Sequence, residues 1–151
     1  MRSSALLRIA SVITMLNFAG HTTGYPWTPD IGPGAVPVLD AMKGHSFDVI
    51  GSARTYWDFY VGFGVIISLN LLVQTIVLWQ LASLVKNDAL RLRPVIATFF
   101  VACVGNTFLA WKYFFVIPLA ISAANALCVA LAFAAAGRDK TARSGDLPSA
   151  N

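Results

Sequence analysis

Four stretches of the chain are apolar almost without interruption, and short polar segments separate them. The first runs from about Ala5 to Gly20, follows Arg2 and contains Arg8. A basic start before an apolar stretch is also how a signal peptide begins. Arg8 interrupts the stretch, however, and no small-x-small cleavage site precedes Asn17 and His21. The pattern therefore predicts a retained helix over about 5–21, with Arg8 snorkelling to the inner face. The second helix is expected over 56–85, with Asn70 and Gln74 one turn apart on a shared face and Trp79 and Gln80 near its end. Lys86 to Arg93 is a short basic turn, and Pro94 suits the first turn of a third helix over 94–111. Lys112, Tyr113, Phe114 and Phe115 read as a tight hairpin, followed by a fourth helix over 117–136 with Pro118 near its start and Gly137 as its C-cap.

Residues 22–54 are different. Pro26, Pro29, Pro33 and Pro37, with Gly24, Gly32 and Gly34 between them, favour turns and extended backbone over regular helix. Val38, Leu39, Met42, Phe47, Val49 and Ile50 predict a short interfacial helix lying on a membrane surface. A connection this long exceeds an ordinary loop, so it is expected to fold back as a cap. The fold class expected is all-α: a four-helix transmembrane bundle with an outer, Pro/Gly-rich loop capping one end. It forms a single membrane domain over 1–137, and a flexible cytoplasmic tail follows over 138–151.

Composition supports the membrane reading. Of 151 residues, 57% are hydrophobic and 12% charged, about half the charged fraction of a soluble domain, and the mean hydropathy is +0.68. The apolar runs approach or reach the roughly 20 residues that cross a bilayer core. The net charge of +4 does not point to nucleic acid, because the basic residues flank the apolar runs. With the N-terminus inside, Arg2, Arg8, Lys86, Arg91, Arg93, Arg138, Lys140 and Arg143 fall on the inner side, and Lys43, Arg54 and Lys112 on the outer. Eight against three predicts that both termini are cytoplasmic.

Polar residues inside apolar runs carry the candidate chemistry. A hairpin of the third and fourth helices centred near residue 115 or 116 places Asn106 level with Asn125, and Cys103 level with Cys128. An Asn106–Asn125 hydrogen bond of about 1 kcal/mol is expected between them. The thiols read as inert packing, since no CxxC is present to suggest zinc or thioredoxin-like redox chemistry.

The second cluster gathers towards the outer side. Thr55 to Gly64 places Tyr56, Trp57 and Tyr60 as an interfacial belt around the Asp58 carboxylate, with Gly62 and Gly64 one turn deeper where a helix or a ligand could approach. His21, with Asn17 one turn deeper, ends the first helix, and Lys112 and Tyr113 end the third. The ligand-binding candidates are Asn17, His21, Tyr56, Trp57, Asp58, Gly62, Asn106 and Lys112. In the functional reading, His21 and Asp58 are a titratable catalytic pair at a proton-handling or headgroup site. In the bland reading, Arg54 neutralises Asp58 four residues away, and His21 merely ends a helix. A His21/His45 metal pair lacks a carboxylate partner, so no metal site is expected, and no cofactor is implied.

Several motifs carry a family likeness. Gly20-His21-Thr22, Pro26-Trp27-Thr28-Pro29, Gly44-His45-Ser46-Phe47-Asp48, Thr55-Tyr56-Trp57-Asp58-Phe59-Tyr60 and Trp111-Lys112-Tyr113-Phe114-Phe115 resemble a group of small bacterial four-helix integral membrane proteins. The resemblance covers most of the chain apart from the tail. It implies fold and setting, and transfers no residue roles. Sterol-isomerase-like and DoxX-like proteins share the architecture only, and vitamin K epoxide reductase-like proteins need a CxxC that this chain lacks.

The expectation is a multi-pass membrane protein binding a lipid-like or quinone-like small molecule near the outer face. One alternative is a structural or accessory subunit of a larger membrane complex. The other is a small enzyme, isomerase- or oxidoreductase-like, using His21 and Asp58 on a lipophilic substrate. The partners implied are the lipid bilayer, a lipophilic ligand, and further copies or a larger complex, with no nucleic acid.

Overall fold

The computed structural model describes residues 2–24 and 32–145, with side chains as far as Arg138. Pro26, Trp27, Pro29 and the end of the tail lie outside these residues. Helix α1 spans Arg2–Gly24 and α2 Ala35–Gly44; strands β1 (Ser46–Val49) and β2 (Ser52–Thr55) follow, then α3 (Tyr56–Leu84), α4 (Arg93–Tyr113) and α5 (Val116–Gly145). Helices α1, α3 and α4, and α5 over Val116–Arg138, are each long and apolar enough to cross a membrane. The fold is all-α apart from one small hairpin, and the chain is a membrane protein by its helices.

The single domain expected over 1–137 divides into two compact units, Met1–Asn17 with Leu72–Asn151, and Phe18–Leu71. In the first unit, four helices meet on one core. Leu7 and Ala10 of α1, Leu78 and Ala82 of α3, Ile96 and Cys103 of α4, and Val129 and Ala132 of α5 are buried together. In lipid, little hydrophobic force holds helices to one another, so close approach and hydrogen bonds must do so. The buried face of α1 is accordingly small and hydroxylic: Ser3, Ser4, Leu7, Ala10, Ser11 and Thr14 recur at helical spacing. Ser4 donates to the Ala82 carbonyl and Ser11 to the Thr75 carbonyl at 2.8 Å, fixing α1 antiparallel to the C-terminal half of α3. Arg8 stays exposed, its guanidinium 5.0 Å from the Trp79 ring centroid.

Helices α4 and α5 form the tightest helix pair. Gly137 does not cap α5, which runs on to Gly145. Its lack of a side chain instead admits the Arg93 guanidinium, whose Cζ would stand 3.2 Å from an added Cβ. The same guanidinium lies 4.4 Å from the Phe133 ring centroid, a cation–π contact that seats the start of α4 on α5.

In the second unit, the interfacial helix expected over 38–50 is instead α2 followed by a hairpin. Gly44 ends the helix, and from Ser46 the side chains alternate between exposed and half-buried with the period of two that a strand imposes. Val49 pairs with Ser52, leaving Ile50 and Gly51 as a two-residue loop. Their φ values of 51° and 79° match a type I′ turn, whose usual occupants are Asn and Gly. Ile50 is a β-branched residue in the left-handed region and wholly exposed, so it gains no packing in return for the strain. Ile50→Asn is expected to stabilise the hairpin by about 1 kcal/mol, seen as slower amide hydrogen exchange across β1 and β2.

Candidate functional site

Helix α3 enters the second unit through a reciprocal cap. Thr55 Oγ1 accepts the Asp58 backbone N–H at 3.1 Å, and Asp58 Oδ2 accepts the Thr55 backbone N–H at 2.8 Å. The Thr55 hydroxyl also lies 3.0 Å from Oδ2, to which it donates. This is a capping box with aspartate in the place of the usual glutamate, satisfying two amides that a helix start leaves open. The carboxylate also sits at the positive end of the helix dipole. Arg54 makes no direct ion pair with Asp58, since its guanidinium donates to the Ala53 carbonyl at 2.7 Å, but its charge still acts favourably on the carboxylate. Asp58→Ala is expected to lower the thermal midpoint by removing half of the capping box, without affecting retention of any bound small molecule.

Around this cap the aromatics form a ladder. His45 stacks on Tyr56 at 5.8 Å, Phe47 of β1 meets Tyr56 at 4.9 Å and stacks on Phe59 at 5.9 Å, and Phe59 leads on to Phe63 at 6.2 Å. Trp57 stacks on Tyr60 at 5.4 Å with the Lys43 ammonium 4.8 Å from its ring centroid. These contacts tie the hairpin and the end of α2 to the first turns of α3. His45 is an aromatic member of the ladder. Among the described residues, no three His, Cys, Asp or Glu side chains come together to hold a metal.

His21 is elsewhere. Its Nδ1 lies 3.1 Å from Ser68 Oγ, and Thr22 Oγ1 donates to the same Ser68 oxygen at 3.0 Å. Ser68 is buried. Because Thr22 supplies one hydrogen to Ser68, the serine's own hydrogen is free to go to Nδ1. With the serine as donor, the neutral ring carries its proton on Nε2, for which no partner is found among the described residues; with Nδ1–H as donor, Nε2 is an acceptor instead. The node lies well inside the apolar length of α3, eight residues beyond Tyr60 and eleven before Trp79, about 12 and 16 Å at helical rise.

This placement overturns the expected His21–Asp58 acid/base pair. Ser68 is ten residues from Asp58 along α3, a separation of about 15 Å, too far for either to move the other's proton. Gly62 lies between these levels, and a Cβ there would meet open space. Asn17, Asn106 and Lys112 belong to the other unit. There, Asn17 is half-buried, Asn106 and Lys112 are exposed, and the Lys112 ammonium lies 5.0 Å from the Tyr113 ring centroid.

The Asn106–Asn125 hydrogen bond is likewise absent. Asn125 turns to α1 and donates through Nδ2 to Thr14 Oγ1 at 2.8 Å, while Thr14 donates to the Ala10 carbonyl at 2.8 Å. Its Oδ1 is buried, with no partner among the described residues. The depth match between the two amides leaves their faces unspecified, and Asn106 lies on the exposed side of α4. Cys103 is buried and Cys128 half-buried in the same core, both as free thiols. A groove of about 460 Å³ opens between α4 and α5, lined by Val104, Phe108 and Trp111 on one wall and Leu119, Ala123 and Ala126 on the other. Its hydroxyl, Thr107, is already bonded to the Cys103 carbonyl, so the groove offers shape without polar selection.

Compared with known proteins, the chain matches no family model, no curated protein and no solved structure.

Proposed function

We propose that the chain is a multi-pass protein of a bacterial inner membrane, with both termini cytoplasmic, that binds a lipid-like or quinone-like molecule through its polar headgroup at His21. The observation that carries this reading is the His21–Ser68–Thr22 node. An ionisable side chain within an apolar helix bundle is expensive to keep there and marks a functional site by default. Ser68 orients the imidazole, and in the tautomer in which the serine donates to Nδ1, Nε2–H meets a ligand acceptor: a quinone or ester carbonyl, or a phosphate oxygen. The likeness of the chain's motifs to small bacterial four-helix membrane proteins, and the eight-to-three split of basic residues, support the setting.

Native mass spectrometry of the full-length protein released from membranes tests the reading. The expected result is a retained apolar molecule bearing a carbonyl or phosphate. A wild type that carries none, under conditions that keep the bundle folded, would overturn it. The accessory-subunit reading draws its support from the exposed face of α4; the Asp58 cap serves the start of α3 and adds nothing to it. The enzyme reading loses its acid/base pair. What remains to it is a serine hydroxyl within hydrogen-bond distance of a histidine, which orients the ring.

A further inference from the structure

Two adjacent residues of α4, Gly105 and Asn106, are poor choices for a helix facing lipid. Gly105 is exposed, and a Cβ built on it would meet nothing within 4 Å. Nothing among the described residues therefore requires glycine there, although glycine weakens a helix interior. Gly137 is the contrast, since the Arg93 guanidinium occupies the space its side chain would take. Asn106 is exposed too, and no hydrogen-bond partner is found for it among the described residues. It lies six residues inside Lys112, about 9 Å along the helix, where lipid tails offer its amide neither a donor nor an acceptor. Asn70, also exposed on its helix, answers the same difficulty internally by donating to the Ile66 carbonyl at 2.9 Å.

Helical spacing places Thr98, Ala102, Gly105, Asn106 and Leu109 on one exposed face. We propose that this face of α4 is the interface of a two-fold dimer of the chain, in which the Asn106 amides of the two copies hydrogen-bond to each other and Gly105 and Ala102 let the helix backbones approach. The choice of a second copy follows from the amide itself. Asn106 carries both a donor and an acceptor, so an identical amide related by a two-fold axis satisfies both. Two copies inserted with the same topology hold that amide at the same depth. Small residues flanking an amide are the usual means of helix association where hydrophobic force is absent. The interface is on the opposite side of α4 from Val104 and the α4–α5 groove, and it does not depend on the ligand site.

Self-association of the full-length protein in liposomes, followed by single-molecule photobleaching across a range of protein-to-lipid ratios, tests this. The expected result is a wild-type monomer–dimer equilibrium that Asn106→Leu and Gly105→Leu each weaken about tenfold, while Asn70→Leu leaves it unchanged. Residue-level proof comes from Asn106→Cys in a Cys103→Ala, Cys128→Ala background, which should form an intermolecular disulfide on mild oxidation where Val104→Cys does not. A wild type monomeric at every ratio, or an Asn106→Leu protein that dimerises as well as wild type, would overturn the proposal. Stoichiometric recovery of a different membrane protein that crosslinks to position 106 would also overturn it, by assigning the face to another partner.

Discussion

Leu78→Ala should lower the unfolding free energy of the bundle by about 2 kcal/mol, and Leu69→Ala on the same helix by less than about 0.5 kcal/mol. Leu78 has no exposed surface and belongs to the core shared by all four long helices, whereas Leu69 is 60% exposed. In water, part of the cost of such a truncation is lost transfer free energy. In a bilayer that part is small, because lipid tails are as apolar as leucine. What remains is the cavity and the lost dispersion contacts, so the lower end of the large-to-small range applies. Reversible unfolding in mixed detergent micelles provides the comparison. Equal effects at the two positions would mean that Leu78 is not in the packed seam.

Much of the architecture was legible because the physics of spanning a bilayer is read directly from composition. Helix α4 begins at Arg93 beside Pro94 and ends at Tyr113 beside Lys112, and α5 begins two residues before Pro118 but continues past Gly137. The glycine shows why. A Gly near a polar boundary has the signature of a C-cap, but here it serves a close approach by Arg93, which only the three-dimensional arrangement reveals. The hairpin after α2 was missed because Phe47, Val49 and Ile50 fit a helical stripe as readily as a strand when only a few residues are weighed.

The site was legible in part. His21 stood out as a titratable residue within an apolar chain, and Asp58 as a carboxylate near aromatics. Depth alone could not separate them, because both belong to helix ends in the sequence. Asp58 is explained by a motif that was present to be read: Thr55 and Asp58 have the spacing of a capping box. Ser68 was passed over because a single serine in an apolar run resembles ordinary helix packing. The serines of α1 were passed over for the same reason, although their recurrence at helical spacing marks the face that α3 covers. For Asn106 and Asn125, an antiparallel register brings two residues to one level without bringing them to one face. The rotation of each helix is set by the whole core, from Leu7 to Ala136.

His21→Ala should reduce the affinity for the retained small molecule between tenfold and a hundredfold, corresponding to about 1.4–2.8 kcal/mol. A hydrogen bond made where water is excluded is stronger than one made in solution, and the ligand's acceptor would be left unpaired in the variant. Ser68→Ala should have a smaller effect, several-fold, because it frees the ring to turn without removing the imidazole. Stability ought to move in the opposite order. Ser68 is bonded to both His21 and Thr22, so its loss disturbs two bonds, at about 1 kcal/mol each in a membrane bundle, whereas His21→Ala removes one. Ligand retention by mass spectrometry and thermal midpoints on the same two variants therefore separate a binding role from a packing role. If His21 only glues α1 to α3, the two readouts fall together and Ser68→Ala is the more harmful in both. If His21 holds a ligand, the rank order reverses between them.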